Sequence, residues 1–180
     1  LIGENSDILV HLGSQNYQNA KIALLLLEQV DHVDRKEQRE YFYSLASPLA
    51  SMEDYAGALQ SDLTELARKD RTDIARDLLA DSETNLEFAK AILADFDDLI
   101  YGNQEEVEIH QIIAERLKED PSAPRLLTQV LQDLDSRERR VAAVNMIEMG
   151  SSQSTQFIHS ILDDFDEFHS NSKELIAESI

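Results

Sequence analysis

Two short runs of carboxylates concentrate the chemistry of this chain: Asp95, Asp97 and Asp98, then Asp163, Asp164, Asp166 and Glu167. Seven acids and no lysine or arginine fall from Ala91 to Glu115, and five with none from Val141 to Ser172. Such groups suit three kinds of chemistry: holding calcium, general acid–base catalysis, or docking a partner rich in lysine and arginine. A calcium loop of the Asp-x-Asp-x-Asp-Gly type is absent, and Phe96 and Phe165 inside the runs read as core residues. No acid–base pair separates from 36 acidic residues. Docking remains, with long-range steering that salt weakens. A solvated polar face accounts for the same residues, and both explanations stay open.

Three basic clusters form a second pattern: Arg35, Lys36 and Arg39; Arg68, Lys69 and Arg71; Arg137, Arg139 and Arg140. Their spacing puts them on one edge of a periodic structure, where a row of cations is able to track phosphates. A helix C-terminus, whose dipole favours cations, explains Arg68 and Lys69 as well. Against nucleic acid stands the net charge of −20. The histidines (His11, His32, His110, His159, His169) lack His-x-x-x-His and Glu-x-x-His spacing, so no metal and no cofactor is expected. Gly-x-Ser-x-Gly and phosphate-cradling glycine loops are absent, and the reading is of a protein that is not an enzyme.

Composition narrows the setting. The acidic excess is uneven: residues 1–52 carry 7 acids and 4 bases, residues 53–180 carry 29 and 12. The absence of cysteine excludes disulfides and thiolate metal sites and fits a reducing, cytoplasmic location. No run approaches the length of a membrane span, so no membrane partner is expected. Five glycines and three prolines in 180 residues suit long helices and an all-α fold.

The elements that must position the acids recur. Leu27-Glu28-Gln29-Val30, Leu63-Thr64-Glu65-Leu66, Phe96-Asp97-Asp98-Leu99, Leu131-Gln132-Asp133-Leu134 and Phe165-Asp166-Glu167-Phe168 start 36, 33, 35 and 34 residues apart. Two apolar residues enclosing two polar ones are ordinary in a helix, but five sets at near-constant spacing signal a repeat array. The expected units are helix pairs at about 17–48, 53–82, 85–120, 124–150 and 155–180, in one domain. Pro48 is expected to stop the second helix, Ser51-Met52-Glu53-Asp54 to form a capping box, and Gly102 and Asp120-Pro121 to break the chain. Val141, Val144, Leu162 and Ile180 fall on expected inward stripes. Uncapped ends imply a fragment of a longer array, or ends that meet something, including a second copy.

Residues 127–168 resemble the HEAT-repeat family. An apolar helix ends in Val130-Leu131-Gln132-Asp133-Leu134-Asp135, followed by Arg140-Val141-Ala142-Ala143, then Ile147 and Gly150. The other segments share the period without the Arg-Ala dipeptide. The resemblance implies a right-handed α-solenoid of about five antiparallel helix pairs, acting as a non-catalytic scaffold or adaptor that binds another protein. The acidic runs are its expected contact surface for a partner with a basic face. Two other functions fit the family or the charge: an acidic DNA mimic that blocks a nucleic-acid-binding protein, and a HEAT-like enzyme of lyase or DNA glycosylase type.

Overall fold

A computed structural model describes residues 20–149, 154–163, 165–168 and 170–180. These residues are all-α, with eleven α-helices and no strand. The chain divides into two compact units, 1–92 and 93–180. The first holds α1 (Ala20–Leu27), α2 (Gln38–Ala50), α3 (Ala56–Leu63) and α4 (Arg68–Ala80), and α5 (Leu86–Ala94) carries the chain into the second. The second holds the short α6 (Phe96–Leu99), then α7 (Asn103–Leu117), α8 (Ala123–Leu131), α9 (Ser136–Glu148), α10 (Ser154–Asp163) and α11 (Ser170–Ser179). No helix among the described residues is long and apolar enough to cross a membrane.

Packing within each unit follows one rule. In the first, α1 lies against α2 and α3, and α2 against α3 and α4. In the second, α7 lies against α8 and α9, α8 against α9 and α10, and α9 against α10 and α11. Helices α1, α2, α7, α8 and α9 each touch the next helix and the one after that. Leading helices thus touch one another (α1 and α3; α8 and α10), and so do trailing helices (α2 and α4; α7 and α9; α9 and α11).

The recurring tetrapeptide lies at the turn from one helix to the next. Its outer residues are buried in four copies: Leu27 and Val30, Leu63 and Leu66, Phe96 and Leu99, Leu131 and Leu134. The two polar residues they enclose are exposed in all four. In the fifth copy Phe168 is buried and Phe165 half-buried, their rings 6.4 Å apart. Two apolar side chains three residues apart lie on one side of a tight helical turn. Both enter the core while the chain reverses.

Local signals hold in places. Gly102 takes φ +111° as the residue that opens α7, where an added Cβ would collide with the Glu105 carboxylate. Pro124 sits in the first turn of α8. Asp120 Oδ1 accepts from the Ser122 N–H (2.8 Å) and hydroxyl (2.6 Å), shaping the loop before it.

Other expectations need correction. Pro48 lies inside α2, which continues to Ala50. Proline in a last turn forfeits only the bond to the Ser44 carbonyl, and Ser44 is exposed, so solvent serves that group. The capping box does not form. Ser51 ends α2 and donates its hydroxyl to the Pro48 carbonyl at 2.7 Å, while Glu53–Tyr55 is a 3-10 turn. Val141, Leu162 and Ile180 are exposed, and α9 buries Ala142, Ala143, Met146 and Ile147 instead. The Gly13 and Gly150-Ser151-Ser152 turns lie outside the described residues.

Candidate interaction surfaces

The fourth residue of α2, α4 and α9 reaches back to the preceding turn. Tyr41 donates its hydroxyl to the Leu26 carbonyl at 2.8 Å. Arg71 Nη1 donates to the Thr64 carbonyl at 3.3 Å. Arg139 Nη2 donates to the carbonyls of Gln132 (2.6 Å) and Leu134 (3.2 Å). These carbonyls stand at the end of a helix or in the turn after it, where intrahelical donors run out, and that of Leu26 also accepts from the Gln29 N–H at 3.1 Å. Burial pushes the Tyr41 hydroxyl up to about 12, which keeps it a donor.

The basic clusters therefore divide. Arg71 and Arg139 serve as internal caps, and Arg39 is held by Asp73 and Asp77 at 3.1 and 3.0 Å. Arg35, Lys36, Lys69 and Arg137 are exposed. Arg68 and Lys69 open α4 instead of closing a helix, so their own helix dipole does not account for them. A continuous cationic track is not what these residues form.

In α7 the fourth position is Glu106, an acceptor where the other helices carry a donor. Burial raises its pKa first, the Gly102 N–H opposes, and Asp135, Asp97 and Glu138 raise it further. Asp133 is also raised, by burial and then by Asp97, against Arg139. Asp135 accepts from Asn103 Nδ2 at 2.9 Å. The structure thus joins Asp97 to Glu106, Asp133, Asp135 and Glu138, four acids absent from the sequence-based site. Asp133 was findable, because it holds the motif position of Asp98.

The other expected site residues are placed as follows. Asp95 starts α6, and Asp95, Asp97 and Asp98 are exposed. Asp163 ends α10 and is exposed, and Asp166 pairs with Lys173 at 3.3 Å. Asp164 and the side chain of Glu167 lie outside the described residues. The first run follows α5 and the second ends and follows α10, with the Gln132–Asp133 turn between them in sequence.

A smaller acidic group sits in residues 1–92. Asp62 is pushed up to about 6 by burial, then by Glu28 and Glu65, and its Oδ2 has no hydrogen-bond partner among the described residues. Among the histidines, His110 is fully buried, and its Nε2–H donates to the Leu127 carbonyl at 3.3 Å. Burial lowers it to about 4, so the ring is neutral at pH 7. His32 contacts Asp31, His159 is exposed, and His11 and His169 lie outside the described residues. No group of three or more potential ligands gathers for a metal among the described residues.

Compared with protein-family models, curated proteins and solved structures, the chain matches none.

Proposed function

We propose that this chain is a non-catalytic protein-binding scaffold of the α-solenoid, HEAT-like kind, built from five helix pairs. The carrying observation is the packing within each unit: α1, α2, α7, α8 and α9 each meet the next helix and the one after it, around one repeated turn. Such an arrangement offers long surfaces, and its caps use up Arg71 and Arg139 internally. The contact surface is the acidic edge of residues 93–180, formed by Asp95, Asp97, Asp98, Asp163, Asp164, Asp166 and Glu167. Glu106, Asp133 and Asp135 extend it. Its partner is a protein with a basic face, steered by a field that 19 acids and 7 lysines or arginines set up in this unit.

Immobilised wild-type chain and an Asp97→Lys, Asp98→Lys, Asp163→Lys, Asp166→Lys variant test this reading. Proteins retained from source lysate at about 50 mM salt are identified by mass spectrometry and challenged at about 300 mM. A basic protein held by the wild type, shed by salt and missed by the variant is expected. Equal retention by both chains removes the acidic edge from the account.

A further inference from the structure

The trailing helices share a register, and the residues on their solvent side differ between the units. In α4 the positions six, nine and ten residues past Ala67 are Asp73, Arg76 and Asp77. Arg39 of α2 reaches across to Asp73 and Asp77, and Arg76 pairs with Asp73 at 3.0 Å. Charges of both signs close that junction. The same positions in α9, 68 residues later, are Val141, Val144 and Asn145.

There the junction is open. One groove of 490 Å3 runs between α7 and α9, lined by Val107, Glu108, Arg137, Glu138 and Val141 among others. A second, of 460 Å3, runs between α9 and α11 with Val141, Val144, Arg140 and Glu178. Val141 belongs to both and is 37% exposed. Asn145 Nδ2 bridges to Gln111 Oε1 at 3.3 Å across the α7–α9 junction, and Asn103 Nδ2 donates to Asp135 at its end.

Charge selects the occupant. The α7 side of the first groove carries Glu108, and no lysine or arginine precedes Arg116 on that helix. Glu138, on α9, joins the groove to the acidic group of Glu106, Asp133, Asp135 and Asp97. A cation laid beside Glu108 and Glu138 meets two opposite charges against the single Arg137 of that lining, whereas a second copy of a chain with net charge −20 brings like charge to an acidic unit. Neighbouring packed helices lie about 8–10 Å apart, and a chain extended as polyproline II rises about 3.1 Å per residue and returns to the same face every third residue. Apolar side chains about three residues apart therefore match the two grooves.

We infer that the α7–α9–α11 face of residues 93–180 is a docking groove for an extended segment of a partner protein, with two apolar anchors about three residues apart and lysine or arginine beside the first. The inference rests on the protein-binding reading above and moves its anchor from the acidic edge to this groove. Val107, Val141 and Val144 receive the anchors, and Glu108 and Glu138 receive the cation.

A random-peptide display library panned on the full chain tests it. Enriched peptides are synthesised and their affinities measured by fluorescence anisotropy against wild type and three variants. V141D/V144R/N145D writes the residues of α4 into α9, E108K/E138K reverses the rim, and D97K/D163K reverses the acidic edge. Melting curves establish that each is folded. The expected result is peptides with apolar-x-x-apolar spacing and an adjacent lysine or arginine, bound at least about tenfold more weakly by the first two variants. Should V141D/V144R/N145D fail to fold, E108K/E138K tests the same groove by itself. Peptides that lack basic residues, or that keep their affinity for both groove variants, overturn the groove. If those peptides are weakened by D97K/D163K alone, the scaffold reading survives without it. A library that yields no binder sinks both.

Discussion

The outer faces of α4 and α9 occupy the same register and take opposite solutions. On α4, Asp73, Arg76 and Asp77 engage one another and Arg39, leaving few unsatisfied charges for a partner. On α9, Val141 and Val144 leave a gap that its neighbours do not fill. Exposed ion pairs contribute little stability each, so the lattice on α4 is no strong brace. Its consequence is specificity: a surface whose charges are mutually paired presents little to an incoming side chain. One pattern of backbone packing thus carries a closed face in one unit and an open one in the other.

The comparison depends on the two registers being equivalent, and the largest effects test that. Leu63 and Leu131 hold the same place in the repeated turn and are both buried. Leu63→Ala and Leu131→Ala are each expected to cost about 2–5 kcal/mol in urea unfolding of the full chain. A cost below about 1 kcal/mol at either site breaks the equivalence.

Next comes proton linkage, where the units differ in sign. His110 in residues 93–180 is neutral in the fold down to about pH 4, whereas an unfolded histidine takes up its proton near 6.5. Its contribution is therefore whole above pH 6.5 and is lost as pH falls towards 4, by about 3 kcal/mol. His110→Leu should flatten that loss relative to wild type, as read from unfolding at pH 7 and pH 4.5. Asp62 in residues 1–92 runs the other way. Its folded pKa of about 6 means that stability falls as pH rises from about 4 to 6. Asp62→Asn should stabilise the chain at pH 7 by about 1 kcal/mol, reduced from the full linkage value because the group is half solvated. That gain should vanish below pH 4.

The caps give a graded effect. Arg139 satisfies two carbonyls and Arg71 one, at a longer distance. Arg139→Ala should cost about 2 kcal/mol and Arg71→Ala about 1 kcal/mol, because charged donors to orphan carbonyls are worth more than neutral ones. Equal costs would say that the second carbonyl bond adds nothing.

Much of the fold was legible because the repeated turn is written in large apolar side chains. Leu27, Leu63, Phe96 and Leu131 announce themselves at near-constant spacing, and each goes inside. The outer face of α9 was hidden because its buried side is largely alanine. Ala142 and Ala143 carry little hydrophobic signal, so Val141 and Val144 drew the inward stripe onto residues that partly face solvent, while Ile147 is buried as expected. Ser51 was misread because a hydroxyl able to cap the next helix is equally able to close the previous one. The caps escaped notice for a different reason. Arg71 and Arg139 look like members of exposed clusters, and only the carbonyls beside them, invisible in a sequence, turn them inward. Of the acidic edge, the two runs were visible, whereas Glu106 and Asp135 joined it through the packing of α7 against α9.

Valine-methyl NMR of the full chain, titrated with a library-selected peptide, tests the open face most directly. Valines are few and well distributed, with Val107, Val141 and Val144 at the grooves and Val30, Val33 and Val130 buried elsewhere. The account predicts that the methyls of the first three shift together and saturate while those of the other three hold still. Saturating shifts at Val30, Val33 or Val130, with Val107, Val141 and Val144 unmoved, would contradict it.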